Sequence, residues 1–408
     1  MTPADFLQQQ EPGLTSFLQQ LIRLRTVNPP GEGYGAITTL LTDTLRRLGM
    51  RARRIPVPRA EQRRHLPGHP RYNVLGFWDA GAARTVHCNA HFDVVPVSGN
   101  WRHGDPFHPA VEKGWIYGRG AADMKGAIAA MVFALKALRA ARVRPRCNVE
   151  VSFTADEETD SQLGTGWLVR HMPLRADYAI VGEGGEDDHV CCGHNGVVWL
   201  EVTVHGRAAH GSTPERGINA LEKMAALVLA LEDYKRRLEK RTFRAPDGTV
   251  MRPTINVGGV FASGPGGKVN TVPGSGSFTI DRRVLAVEDH AAAERELVAW
   301  LKSAAARIPQ CRITIGKISE NFSCYHAPEH PFFHAMQRRV AAVRGRPAGF
   351  MVSTGFNDMH FFAHHLKVPT LGYGPSGRNY HAVDERARIR DVRNSARVYA
   401  ELLATFEG

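Results

Sequence analysis

NVEVSFTADEE, residues 148–158, alternates apolar and polar side chains from Asn148 to Ala155, then breaks into three consecutive acids, Asp156, Glu157 and Glu158. The alternation predicts a strand that runs straight into the acids. The same pattern recurs on both sides. Thr85–Ala90 (TVHCNA) is a short, largely apolar run ending at His91, and Tyr178–Val181 (YAIV) is another, ending at Glu183. Ala127–Ala141, between them, carries Ala, Leu and Met at helical spacing. Ile37, Leu40, Leu41, Leu45 and Leu48 share one helical face, with Gly49 as a stop. Strands alternating with helices predict an α/β fold, a mostly parallel sheet flanked by helices. Ligands of such sheets gather at the carboxyl ends of the strands. His91, Glu157, Glu158 and Glu183 all follow predicted strands, so they are candidates to converge on one edge.

The middle of the chain reads differently. Val197–Val204 is a predicted strand, and Gly217–Arg237 a helix with Leu221, Met224, Ala225, Val228 and Leu231 on one face. Strands follow over Thr254–Val260 and Gly276–Val284, then a helix over Glu288–Arg307. That order predicts a smaller α+β domain with helices on one face. It occupies 195–318 and interrupts a larger domain made of 1–194 and 319–408. A length of 408 residues suits two or three domains.

Composition narrows the functional classes. With 43% hydrophobic and 23% charged residues the chain is ordinary globular material. It has no apolar run near the roughly 18 residues a membrane span needs. The polar stretch Met1–Gly13 lacks a signal-peptide pattern. Six cysteines without a C-x-x-C predict a reducing, cytoplasmic setting. Lys and Arg total 52 against 40 acids, a net charge of +12, so nucleic acid must be weighed. The densest basic stretch, Arg51–Arg71, lacks interleaved aromatics and contains four prolines, so it reads as a solvated loop. The expectation is no nucleic acid and no membrane, with a small anionic substrate favoured by the positive field.

A hydrolytic metal site needs imidazole and carboxylate ligands, an open position and a base for water. His91 and Asp93 form an H-x-D whose side chains share one face if extended, so that Asp93 can orient the His91 ring. A strand-end histidine explains His91 equally well, and His103 and Asp105 repeat the spacing. Asp123, in GRGAADMKG (118–126), opens a predicted helix and reads either as a ligand or as an N-cap. Adjacent Glu157 and Glu158 point opposite ways if extended, one towards metal and one towards water. A solvated acidic turn is the alternative. His381 follows the loop Gly372–Gly377. No one of these residues decides the matter alone.

Taken in order they do. HFDVVPV (91–97), GRGAADMKG (118–126), TADEET (154–159), GEG (182–184), GRAAHGSTPERGINA (206–220), KVNTVPG (268–274), DRR (281–283) and GPSGRNYHAVDE (374–385) span nearly the whole chain. Their order resembles the co-catalytic zinc aminoacylase and carboxypeptidase family, of acetylornithine deacetylase, succinyl-diaminopimelate desuccinylase and carboxypeptidase G type. GRGAADMKG is closest to the desuccinylase branch. The resemblance implies a zinc-peptidase-like catalytic domain with an inserted lid and dimerisation domain. It implies two divalent metal ions, Zn2+ with Co2+ as a substitute. One would be held by His91, Asp123 and Glu183, the other by Asp123, Glu158 and His381. It also implies Glu157 as general base, Asp93 as the residue orienting His91, and a cis peptide at Asp123–Met124. His210 would donate to the oxyanion across a dimer, and Asn270 and Arg283 would contact substrate.

The activity implied is hydrolysis of the amide bond of N-acyl amino acids by metal-activated water. A di- or exopeptidase is the alternative within the family, and a non-catalytic binding protein the alternative outside it. No G-x-S-x-G supports a serine hydrolase. One departure stands out. Where the family often places Asp followed two residues later by Arg, this chain has Asp358 and His360.

Overall fold

The computed structural model describes all residues except 66–67, 184–187 and 266. Pro67 of the basic stretch, Gly184 of the GEG segment and Gly266 therefore lie outside the described residues. The chain divides into two compact units. Met1–Gly193, His326–Met351 and Asn357–Gly408 form the first, and His194–Tyr325 with Val352–Phe356 the second.

Four parallel strands make the centre of the first unit, in the order Asn148–Thr154, Thr85–His91, Tyr178–Val181, Thr370–Gly372. Tyr72–Trp78 and then Arg51–Pro56 extend the sheet antiparallel on one side. Thr85–His91 is buried at every position, as befits a parallel strand covered on both faces. Several of its polar side chains bond inside the sheet. His87 lies 2.8 Å from Glu150 and 2.7 Å from Ser152 through its two ring nitrogens, and Asn89 donates to Ser152 at 3.0 Å. The helix Lys125–Ala140 is nearly all buried and packs against Ile389–Thr405. Gly126 permits that seating, because a Cβ there would lie 2.6 Å from the Ala121 carbonyl oxygen.

The basic stretch departs from the loop expected of it. Arg51–Pro56 is a strand and Arg59–His65 a helix. An edge strand tolerates this composition, since its arginines face solvent and Pro56 stands at its end. Arg71, by contrast, is fully buried and ion-paired with Asp156 at 3.0 Å.

In the second unit four antiparallel strands run in the order Thr254–Ser263, Ser275–Val284, Gly196–His205, Arg312–Asn321. Side chains of Ser275–Val284 alternate strictly between buried and half-buried. Val198, Leu200, Val202, Val204, Phe278 and Ile280 form a core with Leu227 and Leu231 of the helix Ala220–Leu238 and Leu297 and Leu301 of His290–Arg307. The first of these helices begins three residues later than its expected start at Gly217, because Asn219 accepts from the amides of Leu221 and Glu222. The second begins at His290, with Asp289 capping Ala292 at 2.8 Å. The unit continues past residue 318 because Arg312–Asn321 is paired along its length with Gly196–His205. Among the described residues no helix is long and apolar enough to cross a membrane.

Leu297 is fully buried between helix and sheet. Leu297→Ala should cost about 3 kcal/mol, transfer and cavity terms together. Denaturant titration of the second unit's fluorescence checks it, and a loss below about 1 kcal/mol would mean the helix is not packed as described.

Candidate metal centre

The chain delivers its candidate residues to the ends of the parallel strands. His91 is the last residue of its strand, Glu157 and Glu158 follow Asn148–Thr154, and Glu183 follows Tyr178–Val181. Asp123 stands just before the helix Lys125–Ala140, across an Asp123–Met124 peptide bond that is cis. His381 follows the short strand Gly377–Arg378. All six belong to the first unit. His91, Asp123 and Glu183 present ligand atoms within 4.8 Å of one another, and Asp123, Glu158 and His381 do the same. Asp123 is common to both groups: its Oδ1 lies 3.1 Å from His91 Nε2 and its Oδ2 3.1 Å from His381 Nε2. Glu158 also reaches His381 Nε2 at 3.1 Å. Glu157 belongs to neither group and stands 3.8 Å from His91 Nε2.

Glu157 and Glu158 are not in the extended conformation that the sequence pattern suggests. Asp156 takes a left-handed φ of 60° and Glu157–Thr159 forms a 3-10 turn. Asp93 builds that turn: its two carboxylate oxygens accept from the Glu157 and Glu158 amides at 3.1 and 3.2 Å. His91 Nδ1 lies 3.0 Å from the Asp93 main-chain carbonyl and 3.5 Å from its carboxylate. A carbonyl only accepts, so Nδ1 carries the proton and Nε2 turns its lone pair towards the carboxylates.

Four residues supporting the site carry no local sequence signal. Asn28 donates to Asp93 and to Asp156, both at 3.0 Å. Tyr34 donates to Asp156 at 2.8 Å, and Arg71 holds the same carboxylate from behind. Glu385 accepts from Arg119 at 2.6 Å and from the amides of Gly120, Ala122 and Asp123 at 3.0, 2.9 and 3.0 Å. One buried carboxylate thus ties the segment bearing Asp123 to the loop bearing His381.

Do these residues fit metal ions? Glu158 Oε1 and Glu183 Oε2 are buried and have no hydrogen-bond partner among the described residues. The His91 lone pair faces carboxylate oxygens, a repulsive arrangement unless a proton or a cation lies between them. The electrostatics say the same. Burial raises Glu157 and Glu183 well above the usual carboxylate range, with Glu183 and Asp123 respectively adding repulsion. Burial and Asp123 push Glu158 up to about 7. Burial works to lower His91, but the Asp123 and Asp93 carboxylates outweigh it and hold the ring well above its ordinary value. Hydrogen bonds to Asp123 and Glu158 raise His381 to about 10. Such a set of groups favours positive charge interposed among them, and mixed imidazole and carboxylate donors suit zinc.

The remaining sequence candidates lie in the second unit. His210 ends the strand Ala209–His210 and is exposed. The Ser212 amide donates to His210 Nδ1 at 3.1 Å, which puts the ring proton on Nε2, where no hydrogen bond is made among the described residues. Asn270 adjoins it, its carbonyl accepting from Gly211 at 2.7 Å. Arg283 spends its fork on Asp281, at 3.0 and 3.1 Å. His360, in the first unit, is buried and its Nδ1 lies 2.8 Å from the Asn357 carbonyl, so it serves the core locally.

The sequence pattern of peptidase family M20/M25/M40 matches residues 87–405. The chain belongs to this family. As an M20 protein it is a metal-dependent amidohydrolase or peptidase, of a family whose centres are typically dinuclear. It is 29% identical to the succinyl-diaminopimelate desuccinylase of Acidiphilium cryptum, over 94% of this chain and 96% of that one. To the enzyme of the same name from Paracoccus denitrificans it is 28% identical, over 95% and 96%. Among solved structures, an M20 family metallo-carboxypeptidase from Sulfolobus solfataricus superposes with a TM-score of 0.77 at 21% identity, covering 97% of this chain and 99% of the other. Human carnosine dipeptidase 1 superposes at 0.72 with 17% identity, covering 98% of each chain. At these identities the superpositions speak for the fold.

Two outcomes follow from the geometry. Metal uptake should release protons and tighten as pH rises from about 7, the level to which Glu158 is raised, towards about 10, that of His381, and weaken below this range. Calorimetry in buffers of differing ionisation enthalpy reads this; uptake without proton release contradicts it. Glu385→Ala leaves Arg119 buried and unpaired and should cost about 3–5 kcal/mol. It should also lower metal occupancy, and a stable variant with full metal content would refute the tie between the two loops.

Proposed function

We propose that this M20 enzyme is a dinuclear zinc hydrolase that cleaves the amide bond of N-acyl amino acids. The supporting observation is the Asp123 carboxylate, with one oxygen towards each histidine of two converging ligand groups. In this reading His91, Asp123 and Glu183 hold one ion, and Asp123, Glu158 and His381 the other, with Co2+ able to replace Zn2+. The first unit is the metal-binding catalytic domain. The second, corresponding to 195–318, is a lid through which two copies pair. The desuccinylase names of the curated relatives favour an acidic acyl group on an amino acid.

When bound, the ions supply Lewis acidity that brings the pKa of water towards neutrality and polarises the scissile carbonyl. Glu157, outside both ligand groups yet 3.8 Å from His91, takes the proton of the attacking water. Burial and the neighbouring Glu183 raise its pKa, which suits it to hold that proton and pass it to the departing amine nitrogen. Asp93 fixes both the His91 ring and the Glu157 amide, so base and ligand keep their spacing. His210 donates from Nε2 to the oxyanion, from the partner's lid if the pairing follows the family. Arg283 grips the substrate carboxylate with its planar fork, exchanging Asp281 for it, and Asn270 contacts substrate from the loop beside His210.

Glu157→Gln should keep fold and metal and lower kcat by about 10³, the scale of a lost general base. Near wild-type turnover would remove Glu157 from that role. A screen of the zinc-loaded protein over N-succinyl amino acids, N-acetyl amino acids and dipeptides decides the substrate class. Turnover of N-acyl amino acids is expected, and hydrolysis confined to dipeptides would make the protein a peptidase instead.

A further inference from the structure

The first unit carries a second concentration of charge, opposite in sign to the metal candidates and sharing no residue with them. Arg344, Arg346, Arg378, Arg388 and Arg390 line a cleft of about 450 Å³, within the size range of small-molecule sites. Local structure explains their convergence. Arg386–Arg388 pairs with both Trp115–Tyr117 and Gly377–Arg378, then leads directly into the helix Ile389–Thr405. Arg344 closes the helix Pro331–Arg344 on the other side.

Among the described residues lining the cleft, cations outnumber carboxylates. The one carboxylate among them is Asp391. It is already engaged by Arg344 at 2.7 Å, both groups being buried, and Arg390 approaches it at 3.8 Å. Arg346 reaches Asp188 at 3.0 Å, but that carboxylate also faces His189 at 2.8 Å. Arg388 lies over the Trp115 ring, 4.7 Å from its centroid. Two further features point the same way. The 17-residue helix starting at Ile389 has no side-chain cap at its amino end, where its dipole is positive. Ser376 Oγ, on the cleft wall, is buried without a hydrogen-bond partner among the described residues.

We infer that this cleft binds a small multivalent oxyanion. Guanidinium forks match phosphate and carboxylate alike, and Arg378, Arg388 and Arg390 together offer more donors than one monovalent anion engages. A nucleic-acid strand is disfavoured, since stacking platforms need free aromatic faces and Trp115 is overlaid by Arg388 and flanked by Arg386. The inference is independent of the metal reading.

Titration calorimetry on the zinc-saturated protein, with pyrophosphate and with tricarballylate in separate runs, tests it. Arg346 and Arg390 are 55% and 63% exposed, so Arg346→Gln/Arg390→Gln should fold with unchanged Tm. The expected result is binding of at least one anion, weakened roughly tenfold or more in that double variant as charge-assisted contacts are lost, and retained in Glu158→Gln. Binding of pyrophosphate alone marks a phosphate ligand, and of tricarballylate alone a polycarboxylate. The inference is overturned if neither binds, or if the arginine variant binds as well as the parent. Loss in Glu158→Gln with retention in the arginine variant would place the anion on the metals. A single-stranded oligonucleotide that outcompetes both anions would make the cleft a nucleic-acid surface.

Discussion

Four carboxylates and two imidazoles crowd together by the carboxyl ends of a parallel sheet, and the buried groups that support them answer to that crowding. Asp123, Glu157, Glu158 and Glu183 are each largely removed from water, and like charges in such a setting are costly unless cations or protons are interposed. The shifted titration of Glu158 and His381 reports the same conflict. In the proposed reading a pair of divalent ions resolves it, each taking up lone pairs of one imidazole and of the carboxylates beside it, with Asp123 shared.

Holding such a cluster together demands rigid, well-bonded supports. Asp93 spends its carboxylate on two amides and its carbonyl on His91. Asp156 is neutralised by fully buried Arg71, and Asn28 bridges Asp93 to Asp156. Glu385 spends four acceptor contacts on Arg119 and the amides of Gly120, Ala122 and Asp123. Each support is a buried polar group held by several hydrogen bonds, so the repulsive groups can face one another while the backbone beneath them stays put.

Much of this was legible locally. The apolar runs before His91, Glu157 and Glu183 marked strands, and a parallel sheet sends strand ends to one edge. The helical stripes of the second unit and its alternating strands were equally plain, because each is a short-range pattern of burial. What escaped were contacts between distant positions. Arg71 looked like one more arginine in a proline-rich basic loop, yet its partner lies 85 residues away. Glu385 closes a contact over a separation of 262 residues to Asp123. The turn at Asp156 depends on Asp93 accepting two amides, which no alternation pattern encodes. The arginines of the cleft, likewise, come from three separate segments of the chain.

The central claim is that two divalent ions share Asp123. Diffraction from zinc-reconstituted crystals at the zinc absorption edge tests it directly. Two anomalous peaks should flank the Asp123 carboxylate, one against His91 and Glu183, the other against Glu158 and His381. A single peak, or peaks away from Asp123, would contradict the account.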